Sequence, residues 1–147
     1  MDQSRALHLT VDRSLVAHAA VMTILGLLSG FTPAFAAAPR AALSGHTLGV
    51  LHGAMLFGLA AVWPSLGTGR AVTAARWCAL IGFYSNWVGV QLAALWNAKG
   101  MFLVHGASMT GAAAWREGVV AVLLNLSALI IPMCVLILWV VRQPEGK

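Results

Sequence analysis

Apolar residues fill four long stretches of this chain, and polar residues collect in short clusters between them. A bilayer core roughly 30 Å thick needs about 20 apolar residues in a helix, and each stretch comes close to that length. The pattern predicts helices over about 14–31, 44–63, 72–96 and 117–141. Asp12-Arg13 precede the first and Thr32-Pro33 end it. Pro64-Ser65-Leu66-Gly67 closes the second, and Arg142 stops the fourth. Ala34-Phe35-Ala36 resembles a leader cleavage site, but the first stretch is long for a leader and carries His18, so it is read as a span. The expected fold is an all-α integral membrane protein, a single bundle of four transmembrane helices.

Composition agrees. Of 147 residues, 60% are hydrophobic and 9% charged, against about 25% charged in soluble domains. Such a chain cannot cover a water-facing surface. Its net charge of +5 does not point to nucleic acid, because the basic residues stand singly at the ends of apolar runs instead of sharing a face. They read as topology signals. With four spans both termini share a side. That side holds Arg5, Arg13, Arg70, Arg76, Arg142 and Lys147, and the other holds Arg40, Lys99 and Arg116. The positive-inside rule then places both termini in the cytoplasm, with the spans in the inner membrane. Cys78 and Cys134 lie in apolar runs without C-x-x-C spacing and read as small core residues.

Polar groups at membrane depth cost free energy unless paired, so each needs a reason. On the second helix Gly45, Gly49 and Gly53 recur every four residues, a groove that admits another backbone. The groove is expected to pack against a helix, with a neighbouring subunit's as the candidate. His46 and His52 accompany it, about 120° apart around the axis and about 9 Å apart along it, too far to ligate one metal. On the third helix Gly82, Asn86, Gly89, Ala93 and Asn97 share a face, with Tyr84, Ser85 and Gln91 nearby. That face suits either interhelical packing or a site, and Asn125 and Ser127 on the fourth helix read as structural. No phosphate loop, H-E-x-x-H motif or pair of membrane carboxylates occurs, and Glu117 suits a helix start. Two-carboxylate acid–base chemistry is therefore excluded. Imidazole, amide and phenol remain, with any cofactor an imidazole can hold.

Several segments resemble the hydroxylaminobenzene mutases. They are Pro39 to His46 continuing through Gly53, Tyr84-Ser85-Asn86-Trp87, Leu95-Trp96-Asn97-Ala98-Lys99-Gly100-Met101, and Trp115-Arg116-Glu117-Gly118. The chain is similar, more distantly, to the styrene oxide isomerases through Arg13 with His18, through His46, Pro64-Ser65-Leu66-Gly67 and Ser85-Asn86. That family is understood to hold haem b between the subunits of a trimer. The resemblance implies His46 as the ligand to haem iron, with Gly49, Gly53 and His18 beside the cofactor. It also implies a homotrimer. The family's catalytic aspartate and tyrosine fall on Gly82 and Val90 here, and its asparagine six positions after the ligand falls on His52.

The expected activity is intramolecular hydroxyl transfer, arylhydroxylamine to ortho-aminophenol, with His52, Asn86, Tyr84 and Asn97 as the catalytic set. Tyr84, Trp87, Trp96 and Met101 are candidates to pack around a small aromatic substrate. Competing readings are an epoxide isomerase giving an aldehyde, a bis-histidine haem electron carrier using His18 with His46 or His52, and a small transporter subunit. A reporter fused after Lys147 is expected to work in the cytoplasm. One active only in the periplasm would contradict the topology.

Overall fold

The protein is described by a computed structural model covering residues 11–101 and 109–143. Arg5 and Lys147, counted above, lie outside the described residues. Among the described residues all regular structure is helical, and four helical segments are long and apolar enough to cross a membrane: Arg13–Ala34, Pro39–Leu66, Arg70–Trp96 and Ala114–Val141. In lipid a helix satisfies its own backbone, which is why this composition folds this way.

Prolines set most of the boundaries. Helix α1 (Arg13–Leu28) tightens into a 3-10 stretch, Ser29–Ala34, that contains Pro33. Helix α2 (Pro39–Val62) starts on Pro39 and passes into a 3-10 turn at Trp63–Leu66, where Pro64 sits. Its start at Pro39 precedes the expected Ser44, because proline suits the first helical position whatever the local hydropathy. Helix α3 is continuous from Arg70 to Trp96. The fourth span, expected to be unbroken, comes in two pieces, α4 (Ala114–Leu126) and α5 (Ile130–Val141), with a 3-10 link at Ser127–Leu129. Pro132 explains the break. It has no N–H to give, and its ring crowds the carbonyl four residues earlier, that of Ala128.

One end of the bundle is held by Asp12. Its side chain caps α1 by accepting from Leu15 N–H at 2.9 Å. The Asp12 backbone N–H donates to Ala60 O near the end of α2 at 3.0 Å. The carboxylate also takes a bidentate pair from Arg76 of α3 at 2.5 and 3.0 Å, and the Arg76 guanidinium lies 6.0 Å from the Trp63 ring. Three helices thus meet at one residue, α1 and α3 through its carboxylate and α2 through its backbone N–H. The Arg76 hydrogen bonds hold its pKa down to about 2.

Above this clamp α1 and α2 come into backbone contact. A Cβ on Gly26 would lie 2.5 Å from Val50 N and 2.6 Å from Gly49 C, and one on Gly49 would lie 2.5 Å from Gly26 Cα. Gly53 fits against Thr23 and Ala19, and Gly45 against Gln91 of α3. The Gly45/Gly49/Gly53 groove is therefore filled within the chain, which corrects the idea that a neighbouring subunit occupies it. The small-residue stripe of α3 is also a packing seam. Gly82 meets Ile130 and Ser127, and Gly89 meets Leu123 and Leu124. Leu15, Met22, Leu56, Phe83 and Met133 form the core toward the Asp12 end. An alanine-rich cluster with Val120 packs the other.

Two predictions follow from these contacts. Gly26→Ala and Gly49→Ala are expected to destabilise the bundle by about 1–3 kcal/mol, as overpacking does. Gly58→Ala, with nothing within 4 Å of its Cβ position, is expected to be neutral or mildly stabilising. Thermal midpoints in detergent check both. The second concerns Asp12. Its lowered folded pKa means its stabilisation is full above the unfolded value near 3.8 and is lost as pH falls through about 2. Asp12→Asn is expected to lower the midpoint at pH 7, with the gap from wild type closing between pH 4 and 2.

Candidate functional site

His46 stands one turn before Gly49 on α2, so the α1–α2 contact carries it against the end of α1. Its Nδ1 lies 2.7 Å from Gly26 O, and a Cβ on Gly30 would come within 3.1 Å of the same nitrogen. A carbonyl only accepts, so Nδ1 carries the proton and Nε2 keeps a free lone pair. The half-buried ring is thereby held with Nε2 as its one available donor atom, the arrangement that a metal-binding imidazole uses. This acceptor was not legible in the sequence, since Gly26 and His46 meet only through the glycine crossing. The same carbonyl takes a second donor, Ser29 Oγ, at 2.7 Å.

His52 serves a different place, as its angular offset requires. It is 4% exposed, lies 4.8 Å from the Phe83 ring between centroids, and its Nδ1 has no partner. His18 and Tyr84 pair across α1 and α3, with His18 Nδ1 and Tyr84 Oη 3.3 Å apart and the rings edge to face. His18 anchors to Tyr84 and His46 to Gly26, two turns farther along α1, a rise of about 12 Å. The chain does not bring these two histidines to one iron, which removes the His18–His46 version of the electron carrier.

Other expected residues are placed differently. Asn97 ends α3 in the left-handed conformation, φ 60°, and donates to Thr110 Oγ1 at 2.6 Å. Its side-chain amide is engaged in the connection after α3, about 20 Å along the helix from Tyr84, which sets it apart from that residue, a correction to its place in the catalytic set. Asn86 is half-buried on the stripe that packs against the fourth span. Gly49 and Gly53 leave no open face for a planar cofactor, because α1 occupies it. The expected aromatic cage also comes apart. Tyr84 pairs with His18, while Trp96 lies 5.3 Å from Trp115 with the rings tilted and Arg116 over both. Met101 is exposed. Trp87 lines a cavity with Gln91 and leucines of α1 and α3.

Two features escaped the sequence reading. Glu117 does more than favour a helix start. Its carboxylate accepts from the backbone N–H groups of Lys99, Gly100 and Ala112 at 3.1, 2.9 and 2.9 Å, gathering the connection between α3 and α4. Gln91 and Trp87 both carry buried nitrogens without partners, Nε2 and Nε1. Asn125 and Ser127 bond back to their own helix, at Ala121 O and Leu124 O, in keeping with a structural role.

Among the described residues no group of three His, Cys, Asp or Glu side chains could hold a metal ion. A lone imidazole with a fixed tautomer suits a metal that brings its other ligands with it, as a porphyrin does. The donor at His46 is therefore of a kind that would suit haem, whereas the face along Gly49 and Gly53 is taken by α1.

Comparison with known proteins gives the family. No solved structure matches the chain. Hydroxylaminobenzene mutase HabB of Ectopseudomonas oleovorans is 42% identical over 139 residues, 92% of this chain and 84% of that protein. Hydroxylaminobenzene mutase HabA of the same organism is 35% identical over 111 residues, covering 75% of this chain and 82% of that one. The family model described as styrene oxide isomerase matches residues 11–143. A match over that span takes in all four membrane helices, the Asp12 clamp and both α2 histidines, and the chain belongs to the styrene oxide isomerase family and is an isomerase.

Proposed function

We propose that this enzyme moves the hydroxyl group of an arylhydroxylamine to the ortho carbon of its ring, giving an ortho-aminophenol. The observation that carries the reading is His46, an imidazole fixed by Gly26 O with Nε2 free, in a chain that aligns with HabB across nearly its whole length. The epoxide alternative is weaker. The positions expected to hold its acid and phenol are Gly82, pressed against Ile130, and the buried Val90.

The reaction is an isomerisation. The N–O bond breaks, a C–O bond forms at the ortho carbon, that carbon loses its proton, and nitrogen gains one. His46 would hold haem b, and ferric haem there would supply a Lewis acid for the substrate oxygen. His52, buried with an unpaired Nδ1, is suited to hydrogen-bond the migrating oxygen or to carry the proton between carbon and nitrogen. The His18–Tyr84 pair offers a second such group. The apolar surroundings exclude the water that would otherwise capture an electron-poor ring.

The enzyme works in the inner membrane as a homotrimer with both termini in the cytoplasm. Among the described residues, the clamp end holds Arg13, Arg70, Arg76 and Arg142, against Arg40, Lys99 and Arg116 at the other. With the glycine groove filled, subunit contacts use other faces, and the fourth span is the least covered within the chain.

His46→Ala is expected to lose both haem and turnover of phenylhydroxylamine. His52→Ala is expected to keep haem and lose about 10²-fold or more in rate, the lower range for a positioned acid–base group. Haem content by absorption spectroscopy, measured beside turnover, separates the two. Full haem and wild-type turnover in His46→Ala would overturn the ligand assignment.

A further inference from the structure

Gln91 is only 6% exposed, yet its amide is short of partners. Its Oε1 lies 3.3 Å from Thr32 Oγ1, but that hydroxyl has one proton and sits 2.6 Å from Ser29 O, which takes it. Its Nε2 has no partner and lies over Gly45, where a Cβ would come within 2.6 Å. Turning the amide over would let the NH₂ donate to Thr32 Oγ1, but would leave the carbonyl oxygen unpaired instead. In either orientation a polar group inside a membrane bundle lacks a hydrogen bond. One turn earlier on α3, Trp87 Nε1 is also buried and unpaired.

These two residues border a cavity of about 270 Å³ between the end of α1 and α3, shared with Leu25, Leu28, Leu95 and the Ser29–Thr32 edge. Leu28 is 59% exposed, so the cavity opens sideways to the bilayer. Its walls are apolar, and no charged side chain lines it, which disfavours an ionised ligand. A lipid chain would cover the leucines but leave Gln91 unpaired.

We propose that this cavity binds a neutral aromatic molecule with one hydroxyl-bearing substituent, drawn from the bilayer. The ring lies among Leu28, Leu95 and the Trp87 indole, and the Gln91 amide, unpartnered over Gly45, turns toward the cavity to meet the hydroxyl. A hydroxyl both donates and accepts, so it satisfies the amide in either orientation. Choosing an arylhydroxylamine as the natural occupant rests on the hydroxyl-transfer reading. Ser29, on the cavity edge, shares the Gly26 carbonyl with His46, which joins the cavity to the His46 side of α1.

The probes are 4-fluorobenzyl alcohol, which carries CH₂OH where the hydroxylamine carries NHOH and cannot rearrange, and 1-ethyl-4-fluorobenzene, which lacks the hydroxyl. Fluorine NMR titration of the full chain in lipid nanodiscs reads binding of each. Wild type is expected to prefer the alcohol about tenfold, the effect of one satisfied buried hydrogen bond. Gln91→Leu is expected to abolish the preference while still binding the hydrocarbon, and Gln91→Met serves the same purpose if the leucine variant does not fold. Leu95→Trp is expected to block both probes. An unchanged preference in the Gln91 variants, or unchanged binding in Leu95→Trp, overturns the proposal. Phenylhydroxylamine turnover by wild type keeps the two ideas separate. Turnover without an alcohol preference removes the cavity and retains the reaction, whereas selective binding without turnover does the reverse.

Discussion

The backbone contact between α1 and α2 at Gly26 and Gly49 decides most of what this molecule can do. Helices in lipid gain little from burying apolar surface against one another, so close approach and hydrogen bonding carry their association. Here a Cβ on either glycine would lie 2.5 Å from the facing backbone. That approach brings Gly26 O to His46 Nδ1 and so fixes one imidazole tautomer. It also lets the Trp87 indole lie over Gly49, where a Cβ would be 2.8 Å from its Nε1. A bulkier residue at either position would move His46 and the cavity wall together.

Much of the fold was legible in the sequence because bilayer thickness imposes a length and prolines punctuate it. The four spans and their order could be read directly. The break at Ser127–Leu129 was missed although Pro132 signals it, since an apolar run looks continuous to a hydropathy count. Pairwise geometry was the illegible part. The glycine spacing of α2 announced a close contact but not its partner, and α1 fills the groove assigned to a second subunit. The α3 stripe announced a face, and the structure gives that face to the fourth span. Asn97 shared the stripe's periodicity but sits where the helix ends, with its backbone in a conformation that asparagine tolerates better than most residues. His46 and His52 were separated correctly from helix geometry alone, whereas the carbonyl that orients His46 lies on another helix.

The arrangement suits a reaction in which nothing is gained or lost overall. An oxygen moving from nitrogen to the ortho carbon of the ring needs an electrophile for that oxygen, a group to relay one proton, and little water. His46, held through Nδ1 by Gly26 O at the end of α1, keeps a single nitrogen available. His52 is shut inside the bundle beside Phe83. The polar groups with structural duties stand apart from these, at the two ends of the bundle. Asp12 ties three helices together at one, and Glu117 holds the connection between α3 and α4 at the other.

Intramolecular transfer is the central claim, and the fate of the oxygen atom tests it most directly. Phenylhydroxylamine labelled with ¹⁸O on its hydroxyl can be given to the purified protein in unlabelled water, and the product analysed by mass spectrometry. The account predicts 2-aminophenol that retains the label. Product oxygen drawn from water, or 4-aminophenol in place of the ortho isomer, would contradict it.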